Sequence, residues 1–254
     1  MTDVLNSELL KLRSVRSTAY LLLAIAVMLA VGVLVSYLMT ADWDVAPPER
    51  QRQFDSADPT VPLLPFAQFC LGVLGALAIT GEHGSGMIRP VLVGVPRRGK
   101  LLAAKAVVVA AASLLVGAAT NLLAYAAGEL ITGDRPKPIS AYDSFGEAVP
   151  TLLANTASLV LVALVGLGLG FVIRSTAGTL VTLCGLLFVL PVVSMMLPRT
   201  WGEPLYSVML PVLPGELVGD GGLPLSPTGA GLVMVAYAVV ALGAGAVAFT
   251  RRDA

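Results

Sequence analysis

Six long apolar runs constrain this chain more than anything else in it. They fall at about 19–39, 63–80, 101–130, 149–173, 177–197 and 228–250. A helix needs about 20 predominantly apolar residues to cross the hydrocarbon core of a bilayer. In lipid a backbone can satisfy its own hydrogen bonds only in helices or in a closed barrel, and none of the runs alternates as strands would. The expected fold is therefore an all-α integral membrane protein with six transmembrane helices, forming a single transmembrane domain over 1–254. The charge content agrees. Only 13% of the residues are charged, against about 25% in soluble domains, and the mean hydropathy is +0.85. The first run is too long for a signal-peptide core and is followed by further spans, so it reads as an uncleaved first helix. Pro191 falls inside the fifth run and is expected to kink it.

Orientation follows from where lysine and arginine lie. With the N-terminus inside, only Arg50, Arg52, Arg135, Lys137 and Arg199 of the 16 basic residues fall outside. Acidic residues show the opposite bias, with only Asp3, Glu8, Glu82 and Asp253 inside. Both termini are thus expected in the cytoplasm, and so is the segment 81–100. The formal net charge is zero, so bulk charge says nothing about nucleic acid or acidic partners, and no nucleic-acid partner is expected. Cys70 and Cys184 both lie in apolar runs, where free thiols behave as small hydrophobes, and neither suggests a disulfide framework or a metal site.

Three connecting stretches have their own character. Residues 1–18 carry Val4, Leu5, Leu9 and Leu12 at helical spacing, with Glu8, Lys11, Arg13 and Arg16 mostly elsewhere on the wheel. That pattern suits an amphipathic helix lying in the membrane interface. Residues 198–227 are too apolar for a solvated loop and too broken by proline and glycine to span. A short re-entrant or interfacial extracellular helix fits them, with Trp201 and Tyr206 at the headgroup level. Residues 81–100 form a compact glycine-rich, basic segment between the second and third runs. No segment between the runs is long enough for an independent catalytic or nucleotide-binding domain.

Enzymatic motifs fail on inspection. Gly94 to Lys100 matches the spacing of a phosphate-binding loop, but Leu101 stands where Ser or Thr must hold magnesium, and Pro96 interrupts the loop. The neighbours His83 and Ser85 suggest an intramembrane serine protease, yet His83 is the only histidine and has no residue to orient it. Glu82 with Arg89 could be read as the remnant of a membrane metalloprotease, but without a second acid or a second histidine the ligands run out. No catalytic, cofactor-binding or metal-ligating residue is therefore assigned. Gly166, Gly170, Gly72 and Ala76 form small-xxx-small patterns suited to close helix packing, within one chain or across a dimer. Asn121 and Asn155 read as the only amides well inside the membrane. They can line a substrate pathway or hydrogen-bond between helices.

Taken in order, three pieces resemble the membrane permeases of type-2 ATP-binding-cassette exporters, the small bacterial ones in particular. They are Ser7 to Thr18 before the first span, Gly81 to Arg89 followed by Pro96, Arg97, Arg98 and Lys105, and the ending Thr250 to Ala254. The resemblance covers nearly the whole chain. It implies a coupling helix within 81–100 that docks on a cytoplasmic ATPase, with Gly81, Glu82, Gly84, Gly86, Met87, Ile88, Arg89, Arg97 and Arg98 as the coupling residues. Glycines 81, 84 and 86 would allow a sharp turn between helices, and Glu82 would sit near the positive start of the short helix. The resemblance also implies two ATPase copies carrying ATP and magnesium, a second permease copy, contact with membrane lipids, and a bacterial plasma-membrane location. The apolar spans suggest a hydrophobic or amphipathic substrate such as a drug, lipid or peptide. Without ATP coupling, the same six spans would suit an accessory or sensor protein.

Overall fold

The structure is a computed structural model and describes residues 2–84, 86–87, 98–219 and 222–251. Every regular element among them is helical. We number these α1 (Thr2–Ser14), α2 (Arg16–Val45), α3 (Pro48–Gln51), α4 (Thr60–Gly84), α5 (Arg98–Thr132), α6 (Phe145–Ile173), α7 (Thr176–Met195), α8 (Arg199–Ser207), α9 (Leu213–Val218) and α10 (Pro227–Arg251). Six of them, α2, α4, α5, α6, α7 and α10, are long and apolar enough to cross a membrane. All six expected spans are present, most extended by several residues because polar ends continue the helix beyond the apolar run. The protein is a multi-pass membrane protein. Six crossings return the chain to the side on which it began, so α1, the end of α4, the start of α5 and Arg251 share one end of the bundle.

The bundle is built around α6, which packs against α4, α5 and α10, while α2 packs on α4 and α5. About two thirds of the apolar window of α4 and of α6 is buried (67% and 61%), against 17–39% for the other spans. Between apolar helices in lipid there is no hydrophobic force, so close van der Waals approach must supply the attraction. Small residues provide it. A Cβ added at Gly166 would run into the carbonyl of Gly72, and one at Gly75 into the carbonyl of Ala163. On the other face of α6, a Cβ at Gly168 would overlap the backbone at Ala241. The small-xxx-small patterns therefore serve packing within the chain.

Local signals fix the helix ends. Ser144 caps α6 by accepting from the Glu147 amide at 3.4 Å, and the Glu147 carboxylate accepts from the Asp143 amide at 2.8 Å, a shifted form of the capping box. The C-cap of α6 is Arg174 in the left-handed region (φ 58), and its guanidinium donates to the carbonyl of Ala248 on α10. Pro191 cannot donate to the helix ladder, and a π turn over Gly185–Val189 directly precedes the Leu190–Met195 stretch that holds it. Residues 198–219 contain two short helices where one was expected. Of these, α9 packs on α6 and α10 and buries Leu213 and Glu216, whereas Trp201 on α8 is exposed. At this far end of the bundle, Arg135 bridges both carboxylate oxygens of Asp44, tying the end of α5 to the end of α2. Lys137 pairs with Glu147 and Asp143, and those hydrogen bonds hold its pKa above the ordinary lysine value.

Candidate functional site: a charge ring at the root of segment 81–100

At the end of the bundle that α1 shares with the end of α4 and the start of α5, four charged side chains from three helices close into a ring. Lys105 on α5 is 1% exposed and is among the largest fully buried side chains. An ammonium group has three donors, and Lys105 uses them all. They go to Glu8 Oε2 on α1 at 2.7 Å, to Glu82 Oε1 on α4 at 2.8 Å and to the Ala78 carbonyl at 2.8 Å. Lys11, one turn along α1 from Glu8, donates to Glu8 Oε1 at 2.7 Å and to Glu82 Oε1 at 2.8 Å. Burial works against the Lys11 ammonium, but its hydrogen bonds to Glu8 and Glu82 outweigh that and raise its pKa above 10.5. Positive and negative groups alternate around the ring, so its net charge is zero. Glu82 Oε2 is buried and has no hydrogen-bond partner among the described residues.

The ring corrects two expectations. Glu82 lies in the last turn of α4, and not at the start of a following helix. A carboxylate there opposes the negative end of the helix dipole, and the two lysine ammonium groups offset that cost. Glu8, expected on the solvated face of an amphipathic helix, is 5% exposed, while Leu9 and Leu10 are 45% and 66% exposed. Thus α1 turns a charged edge inward to the ring, with Leu12 packed on the core and Leu9 and Leu10 outward. Lys105 was expected as a basic residue on the inner side and as the last residue of the loop resemblance, and not as a buried one. No local pattern marks its burial, because its carboxylate partners lie 23 and 97 residues away.

The remaining coupling candidates divide. Gly81 and Gly84 lie within α4, and a Cβ at either meets nothing within 4 Å. Gly86 carries the turn that leaves the helix, with φ +72, a conformation that glycine adopts at no steric cost. Met87 follows it and is 53% exposed. Arg98 opens α5. Ser85 and residues 88–97, which include Ile88, Arg89 and Arg97, lie outside the described residues, as does most of the phosphate-loop match. His83 Nδ1 sits 3.1 Å from the Ile79 carbonyl of its own helix. Since a carbonyl only accepts, that nitrogen carries the proton. Among the described residues no cluster could hold a metal ion.

The deep amides are buried. Asn121 on α5 donates to Thr156 Oγ1 on α6 at 2.9 Å, and Asn155 is 4% exposed. A third amide escaped the sequence reading. Gln68 on α4 is fully buried and donates to Ser158 Oγ on α6 at 2.6 Å. A lone glutamine in an apolar run is the signal that could have revealed it. Like the Asn121 pair, it stitches two central helices together.

No curated protein matches this sequence. A family model described as ABC-2 family transporter protein matches residues 4–213, a stretch that begins in α1, takes in all four ring residues and ends at the start of α9. The chain belongs to the ABC-2 transporter family and is a membrane-spanning permease component of an ABC transporter.

Proposed function

We propose that the chain forms the translocation path of an ATP-driven exporter and receives the force of a separate cytoplasmic ATPase through segment 81–100. What supports this reading is the charge ring. It fastens the root of that segment to α1, α4 and α5 at once, so a displacement of the segment is passed to three helices and not absorbed by a loose loop. ATP binding on two partner subunits would close them, pull the segments, and rock two permease copies against each other between inward-open and outward-open or collapsed states. Gly86 gives the chain its turn out of α4. Met87 and Ile88 would offer apolar contact to the partner, and Arg89, Arg97 and Arg98 would pair with its acids or with lipid phosphates.

With both termini and segment 81–100 on the inner side of a bacterial plasma membrane, the lysine and arginine bias is satisfied. The substrate class that suits the apolar spans is hydrophobic or amphipathic, and a homodimer is the simplest complete transporter. An accessory or sensor protein without ATP coupling finds no support in the family match. The test is Arg89→Ala, a change at none of the four ring residues. Export and transport-linked ATP hydrolysis should be lost while thermal stability stays at the wild-type value; normal export by this variant would sink the proposal. Glu82→Ala should also uncouple, but with a loss of stability, because it takes a partner from buried Lys105.

A further inference from the structure

Beside the ring lies a half-open cavity of about 340 Å³ between α1, α2 and α4, within the range of about 300–1,000 Å³ typical of ligand pockets. Its walls are apolar, with Leu12, Leu21, Leu74 and Leu77 among them, and the charges of Glu8, Lys11 and Glu82 stand at one side. Two polar valences there are unused among the described residues. Glu82 Oε2 is buried and accepts from none of them, although a buried carboxylate oxygen without a donor is costly. Lys11 spends two of its three donors on the ring, and its side chain is still 36% exposed. Glu82 and Lys11 both line the cavity, so an acceptor buried in its wall and unpaired among the described residues stands beside a cation that is still exposed, against a floor whose net charge is zero.

We propose that this cavity binds a zwitterionic phospholipid whose head carries a primary ammonium, from the leaflet at this end of the bundle. The Glu82 carboxylate turns toward the cavity so that the ammonium donates to Oε2, the phosphate accepts from Lys11, and the start of one acyl chain runs along Leu21, Leu74 and Leu77. A neutral zwitterion leaves the neutral ring neutral. An anionic head would leave Glu82 Oε2 unpaired, and a trimethylated head has no N–H to give it. At about 30 Å³ per water-sized group the space holds about eleven such groups, enough for the phosphoethanolamine head and the glycerol carbons, with the acyl chain leaving through the open side along the apolar wall. The bound lipid would join α1 to α2 and α4 and so stiffen the unit that the ring ties together.

The test needs neither an ATPase nor a transported substrate, so its failure would leave the coupling proposal standing. The purified full chain is reconstituted in nanodiscs of phosphatidylglycerol mixed with either phosphatidylethanolamine or phosphatidylcholine, and lipid retained after detergent extraction is counted by native mass spectrometry. One phosphatidylethanolamine per chain is expected, preferred over phosphatidylcholine by about tenfold or more, the worth of one hydrogen bond to a charged group. Glu82→Gln should lower that preference. Leu77→Trp, which fills the cavity without touching the ring, should abolish retention even if Glu82→Gln fails to fold. Equal retention of the two lipids, preference for phosphatidylglycerol, an equal hold on a simple alkylammonium detergent, or full retention by Leu77→Trp would each overturn the proposal.

Discussion

Lys105→Met is the perturbation that probes the charge ring most sharply. The wild-type side chain is 1% exposed and makes three hydrogen bonds, all at 2.8 Å or less. Methionine keeps most of the volume and removes the charge. Glu8 and Glu82, whose side chains are 7% and 12% exposed, then share only Lys11. Breaking a buried ion pair from one side costs about 3–5 kcal/mol, because the remaining charge stays buried and unpaired. An exposed pair is worth only about 0–1 kcal/mol, so the two cases are separable. The assay is unfolding of the purified chain in mixed micelles, run as a double-mutant cycle with Glu8→Gln. The double variant restores neutrality and should cost less than the two single variants added, with a coupling of about 1–3 kcal/mol. A Lys105→Met cost under about 1 kcal/mol, or strict additivity, would show that the ring is not a buried network and would refute the reasoning.

Four further outcomes follow from the same geometry. Gly166→Leu should destabilise by about 1–3 kcal/mol or more, since even a Cβ there meets the Gly72 carbonyl; an unchanged thermal midpoint would contradict the close approach of α4 and α6. Gly86→Ala should cost about 1–2 kcal/mol because φ is +72, whereas Gly84→Ala, inside α4 with open space around it, should stabilise by up to about 1 kcal/mol; the same midpoint measurement separates them. Lys11 is raised above its unfolded pKa of 10.5, so its contribution is complete below pH 10.5 and is lost as pH rises through the folded value. An alkaline titration of stability should therefore fall in wild type and be flatter in Lys11→Met. Asn121→Leu should lose about 0.6–1.7 kcal/mol, the range for hydrogen bonds between membrane helices, with the substrate range of export unchanged; an altered range would make Asn121 part of the pathway.

The spans were legible because lipid leaves the backbone few choices: length and apolarity alone locate α2, α4, α5, α6, α7 and α10. Gly72 and Gly166, which let α4 meet α6, were legible for a related reason, since spacing on one helix face is a local property; Gly75, pressed on Ala163, lay outside that spacing and was missed. The ring was not. Glu8 and Lys11 look like the polar edge of an amphipathic helix, and Lys105 looks like a topology-setting charge, until α1 folds back against α5. Which charges face water and which face each other is decided by tertiary placement, and the wheel of a single helix carries no trace of it. Gln68 was overlooked for the same reason. Its value depends on Ser158, 90 residues away. Residues 198–219 were recognisable as unusual, but the division into α8 and α9 depends on Leu213 and Glu216 finding buried positions beside α6 and α10.

The central claim is that segment 81–100, rooted in the charge ring, is where an ATPase engages this permease. It is tested most directly by gentle affinity purification of the chain from its native membrane, with its companions identified and quantified. The account predicts a soluble ATP-binding-cassette ATPase in stoichiometric amount, lost from Arg89→Ala although that chain remains folded. A chain that purifies alone, or one whose ATPase stays bound when Arg89, Arg97 and Arg98 are all replaced by alanine, would contradict it.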